Sequence, residues 1–351
     1  MDLKAMLRQL SEASGVSGYE DEVRSLVSER LRTLADEVRV DAMGNVIALR
    51  RGYVAQGRGP SVMLAAHMDE IGLMITAVDK GFIRFIPVGG FDDRVLLGQE
   101  VIVHGRRPLP GIIGSRPPHL LAPNERNKVI PHEQLLIDVG LPPAEVETLV
   151  RTGDLITIRR SSIELRNDLM AGKAFDDRAG VAVILVCLET LQGMRHAWDV
   201  YGVTTVQEEV GLKGAMTSTF ALTPTIGIAL DVTFGSQPGV SDAETMELGK
   251  GPAIAFGPNI HPAIFERLKF TAQAHEIPYQ VEPIPAETGT DAWAMQVTQA
   301  GIPTGLVSIP LRSMHTSVET VSIKDIERAG RLLAHFIAGL DEAFLNALKL
   351  D

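Results

Sequence analysis

The 351-residue sequence contains a single cysteine. No intrachain disulfide can therefore brace it, and a reducing compartment, the cytoplasm, is expected. Cys187 lies in "VAVILVCLETL", where it reads as a buried apolar side chain. No stretch approaches the 18 or more apolar residues of a membrane span. The opening "MDLKAMLRQLSEASG" mixes charges at helical spacing and lacks the apolar run of a signal peptide. Basic excess is missing too: 33 Lys and Arg stand against 44 Asp and Glu, for a net charge of −11. That balance disfavours nucleic acid or an anionic membrane as a bulk partner, because nothing is left over to neutralise phosphates. Neither an internal repeat nor a low-complexity segment is present. What is there is ordinary for a globular protein, 45% apolar and 22% charged, and long enough that two domains are the default.

The N-terminal segment reads as two helices, with Leu3, Met6, Leu7 and Leu10 at helical period, a break at "GVSGY", and a second period in "EDEVRSLVSERLRTLA". Short strands "EVRVDA" and "NVIALR" follow around Met43-Gly44, then a buried strand, "SVMLAA". From about Ile71 to Ile163 short β-like runs ("GLMITAV", "FIRFIPV", "EVIVHG", "LLIDVG", "DLITIRR") alternate with Gly and Pro turns, and only "PAEVETLV" has a helical period. That texture predicts a small all-β unit. From Asn167 a β-then-α rhythm returns, ending in one long helix over "SIKDIERAGRLLAHFIAGLDEAFLNALK". Alternation of this kind predicts an α/β fold with a largely parallel sheet between layers of helices. The simplest partition is an α/β domain over residues 1–70 and 165–351, interrupted by a β insertion over 71–164.

Open α/β sheets bind ligands beyond the carboxyl ends of their strands. There, "VMLAA" leads to His67 and Asp69, "YGVTTVQ" to Glu208 and Glu209, "IGIAL" to Asp231, and "TGLVSIP", after a short loop, to His315. A lone acid at a strand end is usually a helix cap or a solvated loop residue. Four strand ends of one sheet all supplying imidazole or carboxylate are hard to explain that way, because such groups are costly to bury unless paired or metal-bound. Nitrogen and oxygen ligands without thiolate suit zinc, cobalt or manganese in a hydrolytic site. His67 and Asp69 are two apart, so an extended backbone puts them on one side and lets Asp69 orient the imidazole. Adjacent Glu208 and Glu209 would point to opposite sides if extended. One could then ligate metal and the other face a bound water as general base.

Phe-Asp-Asp-Arg occurs twice, in "GGFDDRVLLGQEVIV" and "GKAFDDRAGVAVILV". After Arg94, Gly98 breaks any helix and a strand begins inside the β insertion, so Asp92 and Asp93 read as turn residues. After Arg178 comes a run apolar enough for a buried helix. Asp176 and Asp177 are therefore expected at its N-terminus, where the dipole favours the ionised form a ligand needs.

The ordered segments "AAHMDEIGLMI", "GKAFDDRAGV", "VQEEVGLKGA", "ALDVT" and "SMHTSVE", with "GVSGYEDEVR", "IGSRPPHL" and "GTDAWAMQ", resemble the glutamyl/tetrahedral (TET-like) aminopeptidase family of dinuclear metallopeptidases over essentially the whole chain. The resemblance implies an α/β catalytic domain with an inserted β-barrel-like domain used in assembly, and two divalent metal ions per subunit, zinc or cobalt before manganese. It implies His67 and Asp231 on one metal, Glu209 and His315 on the other, and Asp176 bridging, with Asp177 as the alternative bridge. Glu208 becomes the general base and Asp69 the orienting acid. Short peptides are the expected substrates, and dimers assembling into a hollow tetrahedral dodecamer the expected state. Other readings are a dinuclear deacylase or aminoacylase, a non-catalytic peptide-binding scaffold, and an endoglucanase. The last fits poorly, since two carboxylates across a sugar leave the histidines unexplained. The preferred first residue of the substrate and the physiological metal are open, and His119 and His261 read equally as pocket, interface or surface-loop residues.

Overall fold

The computed structural model describes residues 1–53, 59–124 and 126–350. Helices α1 (Leu3–Glu12) and α2 (Asp21–Leu31) turn their apolar stripes inward, burying Leu7, Leu10, Val23, Val27 and Leu31. The hairpin β1 (Glu37–Val40) and β2 (Val46–Arg50) follows, and then β3 (Ser61–His67), buried along its whole length. Full burial explains why β3 reads as a continuous apolar run: both faces of a parallel strand are covered by helices.

The β-rich segment closes into a six-stranded barrel. Its strands are β4 (Gly72–Asp79), β5 (Phe82–Val88), β6 (Glu100–His104), β7 (Pro108–Gly114), β8 (Leu136–Asp138) and β9 (Leu155–Ile158), with α3 (Pro143–Leu149) between the last two. Alternate residues such as Val101 and Val103, or Leu73 and Ile75, point into a second hydrophobic core separate from the first.

The chain then rejoins the larger sheet through β10 (Ile163–Glu164), β11 (Leu169–Gly172), β12 (Asp199–Thr205), β13 (Ile226–Phe234), β14 (Ala253–Phe256), β15 (Gln280–Pro283), β16 (Thr304–Arg312) and β17 (Glu319–Ser322). Ile163 thus belongs to this sheet, through β11, and not to the barrel. The sheet has eleven strands and runs β1-β2-β12-β3-β13-β16-β17-β11-β10, with β14 and β15 branching from β16. Its centre, β12-β3-β13-β16, is parallel, and antiparallel strands flank it.

Helix α4 (Phe175–Leu191) is apolar on every side and correspondingly buried, with α1 and α8 (Ile323–Ala338) packed on it. Helix α6 (Pro262–Ala274) joins α8 on that face, and α5 (Lys213–Leu222) with α7 (Asp291–Gln296) covers the other, completing three layers. The terminal helix is two helices. α8 stops at Gly339, and α9 (Glu342–Ala347) restarts where the Asp341 carboxylate accepts the Phe344 N–H at 2.8 Å.

Candidate metal centre

Strands β3, β12, β13 and β16 are neighbours, so their carboxyl ends share one edge, and the expected residues meet there. His67 is the last residue of β3 and is buried. Its Nε2 stands 3.1 Å from Asp176 Oδ1, and 4.0 Å from Glu208 Oε2. On the other side of the same carboxylate, His315 Nε2 lies 3.2 Å from Asp176 Oδ2 and 3.4 Å from Glu209 Oε1. Ligand atoms of His67, Asp176 and Glu209 all fall within 4.8 Å of one another. Asp231 lines the same cavity, of about 540 Å³. Among the described residues, the one hydrogen bond its carboxylate accepts is from the Val232 N–H, at 2.8 Å.

Several local expectations need correction. Asp231 does not follow a strand end, because β13 continues through it to Phe234. Glu208 and Glu209 do not diverge: β12 ends at Thr205, Gln207 takes a left-handed backbone (φ 55°), and both carboxylates face the cavity. Asp176 and Asp177 have non-helical dihedrals, so the regular part of α4 starts after them. Asp177 Oδ1 caps that helix by accepting the Gly180 N–H at 2.9 Å, while Asp176 is left to face the two histidines. Asp69 does stand behind His67, but imidazole Nδ1 is nearer its main-chain carbonyl (3.2 Å) than its carboxylate (3.5 Å). That carboxylate accepts the Ser17 hydroxyl at 2.6 Å and the N–H groups of Glu208 and Glu209 at 3.0 and 3.2 Å. It therefore positions the glutamate pair as much as the imidazole.

Glu319 was given no role by sequence reading. Its buried carboxylate accepts the main-chain N–H of His315 at 2.9 Å and of Asp176 at 3.2 Å, fixing two site residues from behind. His315 sits in a loop with φ 58°, an uncommon conformation for a residue with a side chain, and needs such a clamp. Asp291, at the start of α7, is buried against the Thr205 hydroxyl at 2.5 Å and adds another negative charge beside Glu208. The barrel reaches the site as well: a Cβ on Gly90 would lie 3.1 Å from His315 Nδ1. His119 is exposed on a short turn of the barrel, and His261 precedes α6 with Nε2 3.2 Å from the Leu348 carbonyl. Neither lines the cavity.

The electrostatics tests whether cations belong here. Burial and the neighbouring Asp231, Asp291 and Glu209 push Glu208 up to about 10 despite His67, and burial with like charges holds Asp177 and Asp231 well above the carboxylate range. Burial alone would raise Asp176, yet contacts with His315 and His67 carry it well below that range. Contacts with Asp176 and Glu209 raise His315 to about 11. Burial opposes a charged His67, yet Asp176, Asp69 and the Glu208 charge hold it well above its ordinary value. Two imidazoles are too little countercharge for this many buried acids, and the Asp177 Oδ2 atom has no hydrogen-bond partner among the described residues. Buried nitrogen and oxygen donors with surplus negative charge fit divalent cations.

The sequence profile of the family described as M42 glutamyl aminopeptidase matches residues 44–332. A lysyl aminopeptidase of Pyrococcus furiosus is 38% identical over 335 residues, which cover 93% of this chain and 94% of that protein. Among solved structures, a TET aminopeptidase from the marine sediment archaeon Thaumarchaeota archaeon SCGC AB-539-E09 superposes with a TM-score of 0.93 at 34% identity, over 99% of both chains. The TET1 peptidase of Pyrococcus horikoshii, described as assembling into a tetrahedron or a large octahedral shell, gives 0.83 at 31%, over 97% of this chain and 100% of that one. With the profile spanning most of the sequence and the relatives nearly all of it, the chain belongs to the M42 glutamyl aminopeptidase family and is a peptidase.

Proposed function

We propose that the protein removes N-terminal residues from short peptides with the help of two divalent cations. His67 and Asp231 would hold one and Glu209 and His315 the other, with Asp176 shared. The supporting observation is the Asp176 carboxylate, one oxygen at His67 and the other at His315, with Glu209 alongside. When bound, such a pair of cations supplies Lewis acidity at the scissile carbonyl and makes water a competent nucleophile near neutral pH. Zinc or cobalt suits this donor set, with manganese next.

Glu208 lines the cavity, and among the described residues no hydroxyl or main-chain N–H donates to its carboxylate; it is the general base. It accepts a proton from the attacking water as the new C–O bond forms, then delivers it to the departing amine nitrogen as the C–N bond breaks. Asp69 holds the main chain of Glu208 and Glu209 in place for this. Glu319 does the same for Asp176 and His315. The acid-rich mouth also attracts the protonated amine of a peptide's first residue.

The α/β parts, residues 1–70 and 165–351, form the catalytic unit in this reading, and the insertion 71–164 serves assembly into a tetrahedral dodecamer. A structural neighbour at 31% identity is solved as a dodecamer. A cytoplasmic location accords with the lone, buried Cys187 and with the described helices, none of which is long and apolar enough to cross a membrane.

Glu208→Gln tests the central role. Turnover of aminoacyl anilides should fall about 10²- to 10⁴-fold while metal content by mass spectrometry stays at the wild-type level. Near-normal turnover in that variant would remove Glu208 from the reaction. Chelation should abolish wild-type activity and metal add-back restore it. Hydrolysis of N-acylated but not free-amine substrates would move the assignment to a deacylase.

A further inference from the structure

Beyond the cation-binding end, the cavity runs along β13 and β16 to a second, isolated acid. Glu282 on β15 lies on its wall, together with Thr233, Leu306, Ser308 and Ile284. Glu282 Oε1 accepts a hydrogen bond from the Thr233 hydroxyl. Its Oε2 has no hydrogen-bond partner among the described residues. Burial raises the Glu282 pKa, and the Thr233 and Ser308 hydroxyls counter this by favouring the charged form. A buried carboxylate carrying an unused oxygen is costly unless a cation meets it, and among the described residues no lysine or arginine lines the cavity to do so.

Its position relative to the reacting end is set by strand geometry. Asp231 and Thr233 are alternate residues of β13 and face the same side, roughly 7 Å apart. Ser308 is the register partner of Asp231 on β16. In the aminopeptidase reading, a peptide whose first amine and carbonyl sit at the acid cluster has the wall that carries Thr233 and Glu282 next to its first side chain, a stretch that suits the four-carbon stem of a lysine. Leu306 and Ile284 offer apolar wall to that stem. The terminal torsion of a glutamate is broad, so either oxygen can turn to the cavity.

We propose that this end of the cavity is the pocket for the substrate's first side chain and that Glu282 makes it select a cationic one, lysine or arginine. The inference rests on the aminopeptidase reading above. An aliphatic stem capped by a cation matches the apolar wall and the lone acid together. A glutamate would meet like charge, and a methionine, of similar length to lysine, would fill the slot but leave Glu282 unpaired.

The test uses metal-loaded enzyme and the anilides of lysine, arginine, methionine and glutamate. The expected order of kcat/KM places lysine or arginine at least about ten-fold above methionine, with glutamate lowest. In Glu282→Gln, which keeps the size of the side chain, the lysine-to-methionine ratio should fall about 10- to 100-fold. Were Glu282 only a structural partner of Thr233, the variant would lower all substrates together and leave that ratio unmoved, which overturns the proposal. The wild-type panel decides independently of any variant, since methionine equal to or above lysine and arginine overturns it as well. Absence of turnover on all four would overturn the aminopeptidase reading and this inference with it. Turnover without a cationic preference would overturn this inference alone.

Discussion

The two copies of Phe-Asp-Asp-Arg carry the same side chains into opposite surroundings. At residues 91–94 the Arg94 guanidinium folds back onto the Asp92 carboxylate at the surface, and Asp93 accepts the His132 N–H at 3.1 Å within the barrel. At residues 175–178 every residue is buried. Arg178 reaches away from its own acids to the carbonyls of Leu10 and Ala13, at 2.6 and 3.3 Å, tying the end of α1 to the start of α4. Freed of that arginine, Asp176 faces imidazoles and Asp177 caps the helix. The guanidinium lowers an acid in the first copy, whereas burial raises Asp177 in the second. An acid becomes a ligand candidate here by being denied its neighbouring arginine, and the tetrapeptide alone carries no such information.

The sharpest way to break the contrast is to neutralise one acid of each copy. Asp176→Asn should lower kcat/KM at least about a thousand-fold, because it neutralises the carboxylate that lies between the two imidazoles and is proposed as the shared ligand, and its metal content should drop. Asp92→Asn should stay within about two-fold of wild type, as surface substitutions usually do. Comparable losses in both would mean that the barrel copy takes part in chemistry. The arginines come next. Arg178→Met leaves the Leu10 and Ala13 carbonyls without their donor and Glu70 with one cation fewer nearby. It should cost about 3–5 kcal/mol, read from the denaturant midpoint of the metal-loaded protein. Arg94→Met should leave that midpoint where it is. A stable Arg178→Met protein would show that the clamp between α1 and α4 is dispensable.

How much of this was legible depended on the range of the interaction that carries it. The parallel centre of the sheet and the residues beside its carboxyl edge follow from alternation and from where such sheets bind ligands, so His67, Glu208, Glu209 and His315 could be found in order. Asp231 was found for a partly wrong reason, since its strand runs past it. Glu319 was beyond reach because its role is to accept main-chain N–H groups from a left-handed loop and from the start of α4, contacts that no local pattern encodes. Strand β7 was hidden by Pro108 and Pro110, which read as breaks; the barrel nevertheless pairs both with β6. The break between α8 and α9 had a signal, a glycine followed two residues later by a capping aspartate, but the helical period continues across it. Glu282 offered nothing in sequence: its meaning comes from the Thr233 and Ser308 hydroxyls on two other strands.

The finest distinction between the copies is electrostatic. Hydrogen bonds from Arg94 hold the exposed Asp92 carboxyl down at about 2, against an ordinary 3.8. A lowered folded-state value means that the ion pair favours the folded form fully above the ordinary value, and that this contribution disappears as pH falls from there through about 2. Because the pair is solvated, salt should screen it. Carboxyl carbon shifts followed by NMR in low salt should therefore place the Asp92 midpoint near the lowered value. Arg94→Met should return it toward 3.8, and added salt should move it part of the way. A wild-type midpoint already at the ordinary value would mean that Arg94 does not hold Asp92 in solution. The proposed difference between the copies would then rest on burial alone, without any part for the neighbouring arginine.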